Sequence, residues 1–238
     1  MFSEDYILRI IRQATSVLAK IFRLKNAGQY QEAIQVIDHT LEQLLGMDVE
    51  IINLLDDESL YRLLTQNDVL NLERLEFVAD LFQEEGDILR LKSLIPASDN
   101  CYVRSLNYYL VISLNVEPVR AAPLPQKISG LLQKLASFDF DEQTLLNLYS
   151  YFENTKEYAQ ADCILDKLAA RDPSATYITD EKIAFYKRLL EKSPQELTGR
   201  GMSQELIEDK LKEVGIATGV LNHQTEDEGK SNPTHANE

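Results

Sequence analysis

A chain of 238 residues with 24 Lys and Arg against 39 Asp and Glu carries a formal charge of −15. That balance repels nucleic-acid phosphates and anionic membranes at long range, so nucleic acid is not expected as a partner. Hydrophobic residues at 44% and charged residues at 26%, with only 9 glycines, fit an ordered, helix-rich chain long enough to bury a substantial core.

Ser3-Glu4-Asp5 reads as an N-cap with acids in the first helical turn. Behind it Ile7, Ile10, Ile11, Ala14, Val17, Leu18, Ile21, Phe22 and Leu24 recur at three- and four-residue spacing. This predicts a long amphipathic helix whose stripe is wide enough to require burial. Arg9, Arg12, Lys20 and Arg23 interrupt it, so it lacks the continuous apolar core of a signal peptide. No run of about 18 apolar residues occurs anywhere, and a cytoplasmic protein is expected. Gly28 ends the first helix, and a second runs from about Gln29 to Leu45 with Gly46 as its stop, which makes a helical hairpin.

Asp56-Asp57-Glu58 opens a short helix reaching Thr65. A longer helix from about Asp68, carrying Leu72, Leu75, Val78, Ala79 and Phe82, is predicted to stop at Gly86. Its partner, from Asp87 to Ile95, is cut short by Pro96, and another helix follows near Asn100 to Leu114. Pro118, Pro123 and Pro125 mark an internal linker over 115–126. Helix resumes from Gln126 to Ala136; two helices fill Asp141 to Ala175, and others run near Asp180 to Lys192 and Ser203 to Val214. Ser193-Pro194-Gln195-Glu196 is a restart signal between the last two. The predicted organisation is one helical domain over 1–216 and a disordered polar tail over 217–238. No stretch alternates with period two, so the predicted class is all-α.

In Asp141 to Ala175 the large positions fall on Leu145, Leu148 and Phe152, the turn on Lys156 to Tyr158, and the second helix carries Ala161, Leu165 and Leu168 before Pro173. This stretch resembles a tetratricopeptide repeat, with Tyr149 and Leu168 departing from the small residues usual there. Ala27 to Ala33 echoes the turn, as does Phe82 to Ile88 with Ala79 at the small position. The three turns, placed at Tyr30, Ile88 and Tyr158, stand 58 and 70 residues apart. The resemblance implies an irregular tetratricopeptide-like helical hairpin stack, an alpha-alpha superhelix. Over residues 1 to 215, Asp5-Tyr6-Ile7-Leu8-Arg9-Ile10-Ile11, Leu18-Ala19-Lys20-Ile21 and the Tyr30, Ala33 and Leu44-Leu45-Gly46 hairpin resemble an uncharacterised bacterial family of such proteins, a domain of unknown function. That likeness implies a bacterial cytoplasmic protein and supplies no activity.

Reactive residues are scarce. Cys101 and Cys163 stand alone, without metal or redox spacing, and read as buried small hydrophobes. His39 reads as a solvated helix residue, and no nucleophile, phosphate-loop, dinucleotide or zinc motif occurs. No catalytic, cofactor-binding or metal residue is therefore expected, and the chain reads as a non-enzyme. Tyr102, Tyr108, Tyr109, Tyr149 and Tyr151 suit either a half-buried core or a binding face, and core packing is the expected use. In tetratricopeptide stacks the first helix of each unit lines the binding groove. That mapping selects Gln143, Leu146, Ser150, Glu153 and Asn154 in one unit and Glu73, Glu76, Asp80, Gln83 and Glu84 in another. The latter is an acidic stripe suited to a basic segment, with Arg74, Arg90 and Lys92 as the nearby counterions. The expected function is a non-enzymatic interaction or scaffold module for a protein or peptide partner, a second copy of the chain included. The alternative is a peripheral membrane protein docking through its N-terminal amphipathic helix.

Overall fold

Three helical hairpins recur along this chain, and one turn geometry closes all of them. The computed structural model describes residues 2–66, 69–116 and 123–217. They fall into two compact units that divide after Asp141. The first contains α1 (Phe2–Asn26), α2 (Tyr30–Leu45), α3 (Val49–Leu54), α4 (Asp57–Leu64), α5 (Leu72–Leu91), α6 (Ile95–Asn115) and α7 (Leu124–Lys134). Within it β1 (Thr65–Gln66) and β2 (Val69–Leu70) form an antiparallel ribbon that pairs Thr65 with Leu70. The second contains α8 (Glu142–Asn154), α9 (Tyr158–Arg171), α10 (Thr176–Leu190), α11 (Pro194–Thr198) and α12 (Gln204–Ala217). All-α is thus the class, apart from that short ribbon, which has no alternating pattern to announce it.

The turns of α1–α2, α5–α6 and α8–α9 have the same hydrogen bonds. Gly28, Ser93 and Lys156 adopt left-handed φ of 72°, 62° and 62°. Their amides donate to Lys25, Arg90 and Glu153 carbonyls, three residues back. The next amides, of Gln29, Leu94 and Glu157, reach five residues back to Leu24, Leu89 and Phe152 at 2.9, 2.9 and 2.8 Å. This paired closure satisfies the orphan carbonyls of the first helix and aims the chain back along it. Four residues further on, Ala33, Ser98 and Ala161 are fully buried. A small side chain there lets the two helices approach, and Ile37, Tyr102 and Leu165 fill the space one turn later.

The middle hairpin corrects the sequence reading. Rather than stopping at Gly86, α5 runs through it, and the turn lies at Ser93. Gly86 is needed for contact instead: a Cβ there would lie 2.6 Å from the Tyr102 ring and 3.2 Å from the Ser98 carbonyl. Pro96 sits in the first turn of α6, where a missing N–H costs nothing. The small position is therefore Ser98, and the three turns stand 65 and 63 residues apart, nearer to even than the 58 and 70 expected.

Other expectations also meet corrections. Among the described side chains of α1 only Ile21 is buried, and Phe22 is 56% exposed, so the stripe is less covered than its width suggested. Cys101 is half-buried and Cys163 exposed, not buried as expected. The short helix α3 went unpredicted. Asp56 does cap α4, accepting from the Ser59 amide at 2.7 Å, and Ser193 caps α11. His39 lies exposed on α2 beside Gln43. The centre of the proposed linker, residues 117–122, and the tail from residue 218 onward lie outside the described residues.

Candidate functional site

The acidic face of α5 finds its cations inside the first unit. Lys127 of α7 meets Glu76 at 3.1 Å and Asp80 at 2.6 Å, and Lys25 of α1 meets Glu84 at 2.6 Å. Asp80 also accepts from the Tyr109 hydroxyl, whose ring lies under Lys127 at 4.9 Å. Burial disfavours the charge on Lys127, yet Asp80 and Glu76 raise its pKa overall. Glu73, in the first turn of α5, stands near the positive end of the helix. The nearby arginines serve elsewhere: Arg74 donates to the Leu44 carbonyl and Arg90 to Asp99. On α8, in the second unit, Gln143 and Asn154 are exposed and Leu146 and Ser150 half-exposed. Gln143 donates to Asn147, and the Ser150 hydroxyl to the Leu146 carbonyl.

A second feature of the first unit escaped the sequence reading. Lys25, Asp87, Arg90, Leu91, Tyr102 and Lys134 line a cleft of about 420 Å³ built from α1, α5, α6 and α7. Asp87 is its pivot. The Tyr102 hydroxyl and Lys134 reach one carboxylate oxygen at 2.7 and 2.5 Å, and Lys25 reaches the other at 3.2 Å. Burial alone would raise the Asp87 pKa, but Lys134, Tyr102 and Lys25 hold it below the usual range. Burial and Asp87 push the Tyr102 phenol up to about 12, keeping it a donor. Arg90 and Lys134 lie over the Tyr102 ring at 5.3 and 4.7 Å. Three cations and one carboxylate thus face this cleft in a chain of net charge −15. No sequence motif marks them, because they come from four helices and meet only through packing.

α5 also carries a half-buried carboxyl. Glu85 has its pKa raised to about 7 by burial first and then by Asp38, with Arg104 and the Cys101 thiol pulling the other way. The Arg104 guanidinium lies 4.3 Å over the Phe82 ring and reaches the Ile52 and Leu55 carbonyls at the end of α3. It tethers α3 rather than neutralising Glu85 fully. In the second unit Arg188 makes a two-pronged pair with Glu153 at 2.8 and 3.1 Å and also meets Glu181 and the Tyr149 hydroxyl. Tyr186 donates to Asp162, which Lys210 pairs at 2.7 Å.

In each of these arrangements the cations are paired with carboxylates, and none aligns a nucleophile with a base and an oxyanion donor. Among the described residues no group of three or more His, Cys, Asp and Glu could hold a metal ion. Nor is any described helix long and apolar enough to cross a membrane. A family model described as a family of unknown function, DUF6483, matches residues 1–218. The chain belongs to this family. No curated protein and no solved structure matches it. Membership therefore spans both units and both sets of groove residues named from sequence.

Proposed function

We propose that this family member is a non-enzymatic protein-binding module made of tetratricopeptide-like hairpins. The observation that supports the reading most is the recurrence of one turn at Gly28, Ser93 and Lys156, with a small buried residue at the same offset each time. In a tetratricopeptide-like stack the first helix of each hairpin would line the surface offered to a partner. On α8 that side carries Gln143, Leu146, Ser150 and Asn154, an apolar residue among uncharged polar ones. On α5 it carries Glu73, Glu76, Asp80 and Glu84, whose carboxylates set register rather than supply affinity, because lysines already pair with Glu76, Asp80 and Glu84. Affinity capture with the wild-type chain and with a Leu146→Asp, Asn154→Arg variant tests it. A partner held by the wild type and lost by the variant is expected; equal capture by both removes the α8 face from the reading.

A second reading rests on α1, where Phe22 is 56% exposed beside exposed Arg12, Lys20 and Arg23. Such a face suits adsorption to a membrane surface. Liposome flotation of the chain with and without residues 1–26 separates the two readings: flotation that requires the segment favours adsorption, and its absence leaves the protein-binding module.

A further inference from the structure

The cleft around Asp87 differs from its surroundings in charge and in what borders it. Its three cations belong to a strongly acidic chain, and only part of their charge is spent within the cleft. Lys25 is mostly enclosed and held by Glu84 as well as Asp87. Lys134 and Arg90 are more open, with 35% and 36% of their side-chain surface exposed. The carboxylates of Glu84 and Asp99, which complete the balance, do not line the opening. An approaching ligand therefore meets two accessible cations, a phenol ring beneath them and a single carboxylate already engaged by three donors. Asp87, Glu84 and Asp99 together match the three cations, so what distinguishes the opening is that the cations line it and two of their partners do not.

Apolar surface borders this opening. Leu91 lines the cleft and is 56% exposed, and Leu94 in the turn and Ile95 at the start of α6 are also exposed. These three side chains cluster within five positions around a turn shared with the other hairpins. The α8–α9 turn holds Asn154, Glu157 and Tyr158 at the corresponding places, where the tyrosine is buried, and the α1–α2 turn holds Asn26, Gln29 and a half-exposed Tyr30. Exposed aliphatic side chains at this turn are thus peculiar to the α5–α6 hairpin among the three, and Leu91 shares the cleft with the cations. A small inorganic anion would satisfy Lys134 and Arg90 but leave Leu91, Leu94 and Ile95 in water. Covering both requires a ligand that carries carboxylates next to aliphatic side chains and is long enough to pass from the cleft onto the turn.

We propose that the Lys134, Arg90 and Leu91–Leu94–Ile95 surface binds an acidic peptide segment of a partner protein, with carboxylates over the cations and an aliphatic anchor on the turn. This rests on the protein-binding reading and names the partner's chemistry: it is acidic, the opposite of the basic segment suggested by the α5 stripe. Charged contacts set approach and register, and the aliphatic anchor holds the complex.

Panning a random dodecapeptide phage library on the full chain tests it, followed by fluorescence anisotropy with the enriched peptides. The expected result is enrichment of peptides with Asp or Glu beside Leu, Ile or Val, whose affinity falls at least tenfold with Lys134→Gln and with Leu94→Asp. The second substitution is at an exposed turn position and keeps the test independent of any effect on the Asp87 network. Affinity should also fall as salt rises. Enrichment of basic peptides would overturn the proposal while keeping the binding module and favouring the α5 stripe. Acidic peptides indifferent to both substitutions would place binding elsewhere. Full displacement of the peptide by inorganic phosphate at millimolar concentration, with Leu94→Asp silent, would reduce the cleft to a simple anion site. No enrichment of any peptide class would count against both the cleft and the module.

Discussion

The α5–α6 and α8–α9 hairpins close with the same turn but hold their helices together in different ways. In α8–α9 the close approach rests on Ala161, with Tyr158 and Leu165 packed about it. In α5–α6 the small residue on the second helix is Ser98, whose hydroxyl donates to the Gly86 carbonyl at 2.8 Å. Seven residues along, Ser105 repeats this by donating to the Ala79 carbonyl, and Tyr102 and Tyr109 tie α6 to Asp87 and Asp80. One pair is thus held mainly by apolar fit and the other by buried hydrogen bonds added to it. Turn geometry sets the register, while the contacts beneath it are free to vary in chemistry. A polar seam also gives the α5–α6 pair functional groups at its rim, and the Asp87 cleft sits there.

The largest expected effect comes from filling the contact that distinguishes the two hairpins. Gly86→Val would drive two methyl groups into the Tyr102 ring, which is pinned by Asp87 and covered by Arg90 and Lys134. A loss of at least about 3 kcal/mol is expected in denaturant melts, because helix preference cannot offset overpacking of that size. An unchanged midpoint would mean that α5 and α6 are not in contact there. In the apolar hairpin Ala161→Leu should cost about 2 kcal/mol by the same mechanism. A neutral result would remove the close approach of α8 and α9.

Next comes the pH response of Glu85 on α5. The folded pKa of Glu85, about 7, lies above its ordinary value of 4.5, so the folded state holds that proton more tightly than the unfolded chain. Its contribution is intact below pH 4.5, is lost progressively as pH rises to 7, and is constant above. The loss should be on the order of 2 kcal/mol after allowance for partial solvent access. Comparing wild type with Glu85→Gln at pH 4.5 and pH 8 isolates it: the substitution should be near neutral at the lower pH and stabilising at the higher. The same difference at both values would show that the surroundings of Glu85 do not raise its pKa.

Helix periodicity made most of this legible. Amphipathic spacing located α1, α2, α8 and α9, and the turn at Lys156 with Ala161 and Leu165 followed from residue size and order. The tyrosines expected to pack, Tyr102, Tyr108, Tyr109, Tyr149 and Tyr151, are buried. Gly86 misled because glycine has two uses: it ends helices, and it lets another chain segment approach, and only tertiary contact separates them. Pro96 misled for a related reason, since a proline that stops one helix also starts another well. The counterions of the α5 stripe were out of reach, because Lys127 stands 47 residues from Asp80 and Lys25 stands 59 from Glu84. Neighbouring arginines in sequence were the natural substitutes, and packing sent them elsewhere.

The smallest effect discriminates best. If Ser93 and Lys156 occupy the same left-handed turn position as Gly28, their side chains carry a conformational cost that glycine does not. Denaturant melts of Ser93→Gly and Lys156→Gly should therefore each show stabilisation by about 0.5–1 kcal/mol, with the slope unchanged. Glycine inside a helix has the opposite sign, costing about the same amount. Two stabilised variants are what one shared turn predicts, and destabilisation of both would contradict the common closure of these hairpins.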